Sequence, residues 1–356
     1  MIVIVAVRSS LKQAIGSFLL SLAVVLPPSP AHTQGFDLDK WNRGFSLAAS
    51  VKNAAILVRS SKAENMELLL VDFDSGKRTK LRSKGSHLLS PYLSPDGARL
   101  LLSRELPGRS GTALVSCDTG RFTCHVVLRS AGSIHSAIQL SGGRILYVSS
   151  PFVKGGDGRA RLSRNDIWIF EPATGPRQLT DFRLYELDSL AVGQNEIYFS
   201  AYGPPRDRPV IPKLDWRANQ QSSIFRLPYD PEKATIDPPS RTLEPLFLSA
   251  GIANYPAASM DGLLVAFLRT RTSSNPYHYD LVIADTNSKS EQLIETPGLG
   301  ASRPVIIDHD VYASIILKDR TLIQVCRQGE RSMKTLADIG DASIATTEAV
   351  EVDIDP

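Results

Sequence analysis

A tight-turn sequence that recurs far along the chain constrains the fold more than any other feature. Ser94-Pro95-Asp96-Gly97 separates Ser90-Pro91-Tyr92-Leu93 from the apolar run Leu100–Leu102. Pro presets φ at the turn, Asp bonds its own backbone, and Gly accepts positive φ without steric cost. The apolar run is too short for a helix and fits a buried strand. A second copy, Tyr255-Pro256-Ala257-Ala258-Ser259-Met260-Asp261-Gly262, leads into Leu263–Leu268. Two copies of strand, turn and buried strand, far apart, imply a repeat.

Aligning the turn after each first strand yields six units, at Val51-Lys52-Asn53, Asp96-Gly97, Gly142-Gly143, Gly193-Gln194-Asn195, Asp261-Gly262 and Asp308-His309-Asp310. Most are spaced by about 45 residues, a period typical of propeller blades. Apolar second strands follow, as at Ala54–Val58, Ile145–Val148 and Val311–Leu317. Third strands end in further turns, as at Asp74-Ser75-Gly76, Ala173-Thr174-Gly175 and Asp285-Thr286-Asn287, and a fourth strand closes each unit. The expectation is an all-β chain, a six-bladed β-propeller of four-stranded antiparallel blades over residues 44–337. The tail from 338 to 356 carries six acidic and no basic residues, and Val350, Val352 and Ile354 alternate with acids. It reads as a closing edge strand or as a solvated acidic end.

The Ser-Pro-Asp-Gly turn, the Tyr255-Pro256 ahead of its second copy and the four-strand units resemble the TolB-like six-bladed β-propeller family. The resemblance implies that Asp96 and Asp261 are turn residues. The repeats begin soon after the amino-terminal segment, so no counterpart of the α/β domain that precedes the TolB propeller is expected. Propellers of this type also precede the catalytic domain of prolyl-oligopeptidase-like enzymes, but the chain has no Gly-x-Ser-x-Gly nucleophile elbow.

Residues 1–31 carry Arg8 and Lys12, an apolar stretch from Ala14 to Leu26, and small residues Ser29 and Ala31 at signal-peptidase spacing. The stretch is shorter than the ~20 residues of a spanning helix, so the expectation is a cleaved signal, a lead-in over 32–43, a periplasmic or secreted location, and no transmembrane span after cleavage. Three cysteines are too few for a disulfide scaffold. Reading Asp118-Thr119-Gly120 as a three-residue hairpin loop sets Cys117 opposite Arg121 and turns Cys124 to the other face, which disfavours a bridge. The net charge of +3, from 40 basic and 37 acidic residues, argues against a nucleic-acid partner.

Charge placement is more informative than its sum. The six segments joining second to third strands, 59–65, 104–111, 151–165, 201–221, 269–279 and 318–320, carry a net +10 and leave the remainder acidic. In a propeller these segments share one face, which a rigid scaffold presents for binding. Ligand-binding candidates on it are Arg104, Arg159, Arg161, Arg206, Arg208, Trp216, Arg269, Arg271, Tyr277, His278 and Tyr279, since Arg with Tyr and Trp is interface composition. The same alignment places His135, Glu186, Asn254, Tyr255 and Arg303 at the mouth of the central channel. The histidines show no metal-ligand spacing and no phosphate loop or dinucleotide fingerprint occurs. No cofactor, metal or catalytic residue is expected. The leading expectation is a binding propeller that holds a protein segment or anionic envelope component. The alternative is a metal-assisted polysaccharide lyase or hydrolase acting at the channel mouth.

Overall fold

The computed structural model describes residues 46–59, 66–82, 88–106, 111–154, 160–162, 165–182, 186–202, 222–236, 246–247, 252–272, 275–294, 296–297, 300–317, 319–340 and 348–351. Apart from one three-residue 3-10 turn at Ser141–Gly143, their regular structure is strand. Successive strands pair antiparallel in meanders. The first comprises Leu47–Ala49, Asn53–Arg59, Met66–Asp72 and Arg78–Arg82; the second Leu88–Leu93, Arg99–Glu105, Thr112–Asp118 and Cys124–Ser130. The third comprises Ser133–Gln139, Ile145–Ser150, Asp166–Glu171 and Gly175–Gln178; the fourth Glu186–Val192, Glu196–Tyr202, Ser223–Asp230 and Thr235–Ile236. A fifth is built from Ala253–Ala258, Leu264–Thr272, Asn275–Asp285 and Glu291–Ile294. It is joined through a parallel Tyr279–Gly300 bridge to Gly300–Ala301, Val305–Ile307, Asp310–Ile316, Thr321–Cys326 and Lys334–Gly340.

The two turn copies have one hydrogen-bond network. Ser94 Oγ donates to Asp96 Oδ1 at 2.5 Å and accepts from the Arg99 amide at 2.9 Å, while Asp96 Oδ1 accepts from the Ala98 amide. Ser259, Asp261, Leu263 and Leu264 repeat these contacts with Met260 in place of Pro95. Gly97 and Gly262 both have φ 72°. The turns therefore satisfy their own polar groups, which accounts for both aspartates without a catalytic role. Turns between third and fourth strands use a second device: Asp72, Asp118, Asp230 and Asp285 each accept amides two or three residues on.

The core lies between the sheets. Leu68, Leu81, Leu100 and Val115 pack the first meander on the second; Leu101, Leu114, Ile145 and Tyr147 the second on the third. Val148, Ile169, Phe199 and Phe225 join third to fourth; Tyr198, Ile224, Phe267 and Val282 fourth to fifth; Leu268, Leu281, Ala313 and Ile315 fifth to the last. A further cluster unites the chain's two ends: Ile56, Leu69 and Val71 pack against Tyr312, Ile323, Val325 and Ile339. Across that seam Arg78 donates to the carbonyl oxygens of Asp338 at 2.7 Å and Ile339 at 3.2 Å. Strand Glu348–Glu351 then runs parallel to Arg78–Arg82 as a fifth, outermost strand of the first sheet. All five consecutive contacts and the end-to-end contact are thus buried apolar surface, the dominant favourable term in such packing.

Several expectations change. Cys117 and Cys124 are direct cross-strand partners, 4.1 Å apart at Cα, and form a disulfide. The loop between them is longer than three residues because Asp118 N–H donates to the Thr123 carbonyl oxygen, Phe122 takes φ 54°, and Phe122 packs on the core. The segment 269–279 is not a loop: Leu264–Thr272 and Asn275–Asp285 continue as one hairpin, pairing Arg269 with Asp280 and Thr270 with Tyr279. Its alternating Arg-Thr-Arg-Thr and Tyr-His-Tyr residues suit a pleated strand. Arg104 likewise lies within a sheet, opposite Leu88 on one side and Ala113 on the other. Phe152–Lys154 and Ala160–Leu162 form a short hairpin inside the expected 151–165 loop. The proposed signal and lead-in fall outside the described residues, as do Arg159, Arg206, Arg208 and Trp216.

Candidate functional site: an axial cavity

Each first strand except Leu47–Ala49 is interrupted. Register slips separate Leu89 from Tyr92, His135 from Ile138, Asp188 from Leu190 and Asn254 from Ala257. At each slip one residue has positive φ: Ser90 at 48°, Ser136 at 47°, Ser189 at 41° and Tyr255 at 58°. These are β-bulges with a left-handed residue, which a non-glycine side chain adopts at a cost of roughly 1–2 kcal/mol. In the last meander the corresponding break is wider. Gly300–Ala301 and Val305–Ile307 pair with the same strand, and Arg303 lies in the segment between them. Ser302 holds that segment, donating its amide to the Ser314 carbonyl oxygen and accepting the Ser314 amide on Oγ, both at 2.8 Å.

The bulges tie neighbouring meanders together and surround one space. Leu190 N–H donates to Ser136 Oγ at 2.7 Å, and Tyr255 N–H to Ser200 Oγ at 3.3 Å. A cavity of about 200 Å³ is lined by first-strand segments of every meander: Leu47–Ala49, Ser90–Leu93, Ser136–Ile138, Ser189–Val192, Tyr255–Ala258 and Arg303–Ile306, with Pro95 and Met260 from the turns. The cavity therefore extends from the bulges towards the tight-turn side. Its walls are mainly Ala, Leu, Val, Ile and Pro, and among the described residues the one charged side chain in the lining is Arg303. The Arg303 guanidinium carbon sits 4.5 Å from the Tyr255 ring centroid, a cation–π stack. Tyr92, also in the lining, donates to the Gln139 carbonyl oxygen, and burial together with the Asp96 charge pushes its phenol up to about 12. It remains protonated at neutral pH and serves as a donor.

Of the residues expected at the channel mouth, Tyr255 and Arg303 meet in this cavity. His135 and Asn254 precede the bulges, opposite Val148 and Leu268, and are not in the cavity lining; His135 Nδ1 lies 3.4 Å from Ser133 Oγ. Glu186 is misplaced by the alignment: it opens its strand opposite Tyr202, whereas Asp188 holds the position before the bulge, equivalent to His135 and Asn254, and Ser189 occupies the bulge itself. The reason is turn length. Gly193 N–H bonds the Glu196 carbonyl oxygen, whereas Ser94 N–H bonds that of Arg99, so the fourth turn is two residues shorter. Ser189 was legible once turn starts, not turn centres, are matched: Ser90, Ser136, Ser189, Tyr255 and Arg303 each stand four residues before Ser94, Leu140, Gly193, Ser259 and Ile307. Three of the five precede proline.

The described members of the basic face are committed to the fold. Arg269 pairs with Glu291 at 2.7 Å and its guanidinium carbon stands 5.4 Å from the Phe267 ring centroid. Tyr279 packs against the core between the last two meanders. Arg161, Arg271, Tyr277 and His278 lie on strands, but their side chains fall outside the described residues. Among the described residues no group of three or more His, Cys, Asp or Glu is placed to hold a metal ion, and no helix is long and apolar enough to cross a membrane.

No protein-family model and no curated protein matches the chain. Solved structures do. TolB from Acinetobacter baumannii superposes with a TM-score of 0.58 at 17% identity, over 79% of this chain and 62% of that one. Puromycin hydrolase gives 0.54 at 11% identity over 84% and 54% of the two chains, and tricorn protease 0.51 at 12% over 82% and 30%. The chain thus spans under two thirds of each of these relatives. At such identities the likeness establishes the fold, a β-propeller of the TolB type.

Proposed function

We propose that this β-propeller has six blades closed into a ring, is exported, and acts by binding: an arginine-bearing loop face recruits an anionic partner, a protein segment or an envelope component. Closure is supported by the apolar cluster that unites the chain's two ends and by first strands from six meanders lining one cavity. Export to the periplasm or beyond is supported by the Cys117–Cys124 disulfide, since such bonds persist in oxidising compartments, and by the signal-like residues 1–31. The observation that carries the loop face is the net +10 of the segments joining second to third strands, and the cavity lining favours binding over chemistry. That lining offers hydroxyl and guanidinium donors among apolar walls and, among the described residues, includes no Asp, Glu, His, Cys or Lys. Proton transfer at neutral pH uses those groups, whereas hydrogen bonding and charge attraction do not need them.

The test is retention of partners from envelope extract by the mature protein at low and high salt, beside a variant with Arg159, Arg161, Arg206, Arg208 and Arg271 changed to Ser. Arg269 is left in place because its ion pair with Glu291 belongs to the fold. A partner retained by the native protein, released by salt and lost by the variant supports the loop face. Equal retention by both proteins overturns it. The likeness to puromycin hydrolase and tricorn protease favours a second reading, a propeller enzyme acting at the channel. Turnover of polygalacturonate or aminoacyl nitroanilides by the mature protein, with or without divalent metal, and its loss in His135→Ala would establish that reading instead.

A further inference from the structure

We propose that the outer edge of the first meander is a docking site for an acidic, extended segment of a partner protein, and that the chain's own tail occupies it in the partner's absence. Strand Glu348–Glu351 adds in parallel to Arg78–Arg82 and, among the described residues, pairs with no other strand. It lies outside the four-strand unit that the repeat specifies. The outer strands of other meanders, among them Cys124–Ser130, Gly175–Gln178 and Lys334–Gly340, end their sheets without such a cover among the described residues. An uncovered outer strand is therefore tolerated in this fold, and protection of an edge does not by itself account for the tail.

Charge sets this edge apart. Lys77, Arg78, Lys80 and Arg82 give it four basic residues in six with no acid, whereas Cys124–Ser130, Gly175–Gln178 and Lys334–Gly340 carry one Lys or Arg each. Glu67 offsets one of these charges through its 2.6 Å ion pair with Arg82, and Arg78 is turned to the seam, where it donates to the Asp338 and Ile339 carbonyl oxygens. The tail is the complement. Residues 341–356 carry five acidic and no basic residues, and Val350, Val352 and Ile354 alternate with acids. The parallel register sets Glu351 opposite Arg82 and Val350 opposite buried Leu81. In strand addition main-chain hydrogen bonds supply affinity and alternate side chains supply selectivity. The edge therefore reads acids at one parity and β-branched apolar residues at the other.

The tail is suited to yield. It gives four register pairs at the end of a sheet, in the parallel arrangement, which is slightly less stable per residue than the antiparallel one. Its hold is reinforced by its tether. Residues 341–347 join it to Lys334–Gly340, whose Asp338 and Ile339 already bond Arg78, so the tail acts at an effective concentration of about millimolar. A partner segment that pairs over a longer stretch, or is held by a contact elsewhere, displaces it. Strand Arg78–Arg82 lies outside the six segments of the loop face. The variant lacking the loop arginines keeps this site, and either reading can fail without the other.

The experiment is fluorescence anisotropy of a labelled peptide with the tail's own sequence, Glu-Ala-Val-Glu-Val-Asp-Ile-Asp-Pro, beside a scrambled peptide without the alternation and one with Gln and Asn in place of the acids. Each is titrated with three full-length proteins: the native chain; Ala349→Pro with Val350→Pro, which breaks the tail's pairing; and Glu351→Lys with Asp353→Lys, which loosens it by charge alone. Both variants should bind the acidic peptide at least tenfold more tightly than the native protein does. The two control peptides should bind the variants at least tenfold more weakly. Hydrogen exchange locates the contact: the peptide should slow the amides of Arg78–Arg82 in either variant and leave those of Cys124–Ser130 unchanged. Equal peptide binding by all three proteins, equal binding of the three peptides, no binding by either variant at millimolar concentration, or protection elsewhere than Arg78–Arg82 overturns the proposal. Sedimentation of the native protein separates the occupants. A monomer is expected; a dimer that the tail variants abolish would mean that the edge serves a second copy, which overturns the assignment to a different partner.

Discussion

Breaking the Cys117–Cys124 bridge removes a constraint from the unfolded chain, and its size follows from the seven-residue separation of the two cysteines. Closing a loop of about eight residues costs the unfolded chain roughly 8 cal/mol/K, or about 2.5 kcal/mol at 25 °C. For a propeller of about 300 residues the unfolding entropy near the transition is roughly 0.6 kcal/mol/K, so the melting temperature should fall by about 4 °C. The folded hairpin should survive. Its strands stay paired from Thr112 opposite Ser130 to the cysteines, and Asp118 still caps the turn. Two perturbations separate cross-link from packing. Mild reduction leaves both sulfurs in place and should produce the entropic loss alone, whereas Cys117→Ala with Cys124→Ala also removes buried Cys117 sulfur and should lose about 1 kcal/mol more. The assay is thermal unfolding by circular dichroism, with thiols counted in denatured, unreduced protein. One thiol, that of buried Cys326, is expected. Three thiols, or a melting temperature indifferent to reduction, would refute the reasoning.

Further outcomes follow from the turns and the seam. Gly97→Ala should cost about 2 kcal/mol or more in urea unfolding, because it is left-handed and a Cβ would meet Ser50 Oγ at 2.7 Å; Gly76→Ala, at φ 66° in open space, should cost only about 1 kcal/mol. Asp261 is held down to about 2, chiefly by the Ser259 hydroxyl, then by the Leu263 amide and by His309. Its folded value lies below its unfolded one, so its stabilising contribution is complete above pH 4 and is lost as pH falls through 2. Asp261→Asn should therefore melt below the native protein at pH 7, with the gap closing between pH 4 and 2; a constant gap would count against this assignment. Arg78→Ala removes two hydrogen bonds across the seam between the chain's ends and should cost about 1–2 kcal/mol in urea unfolding. Truncation before Glu348 should weaken that edge further through loss of the parallel strand beside Arg78–Arg82, seen as faster amide exchange there.

Local chemistry written in consecutive residues was legible in the sequence alone. The Ser-Pro-Asp-Gly turn, its second copy, the apolar second strands and the spacing of the units specify antiparallel meanders, because turn type and strand alternation depend on near neighbours. The same reading led to Tyr255 and Arg303, which repeat alignment placed together. Properties that depend on lengths counted across a turn were not legible. The Cys117–Cys124 pairing turned on Phe122 anchoring a longer loop, and the shift from Glu186 to Asp188 at the position before the bulge turned on a turn two residues shorter. The odd shift in the cysteine hairpin reverses which face a side chain occupies, whereas the two-residue shift keeps the face and moves the position along the strand. Tertiary structure alone decided that Arg104 and Arg269 belong to sheets, that Arg269 is paired with Glu291, and that residues from both ends of the chain share one core. It also decided the cavity: bulges in separate strands, each a modest local irregularity, become a site only when packing between sheets brings them around one axis.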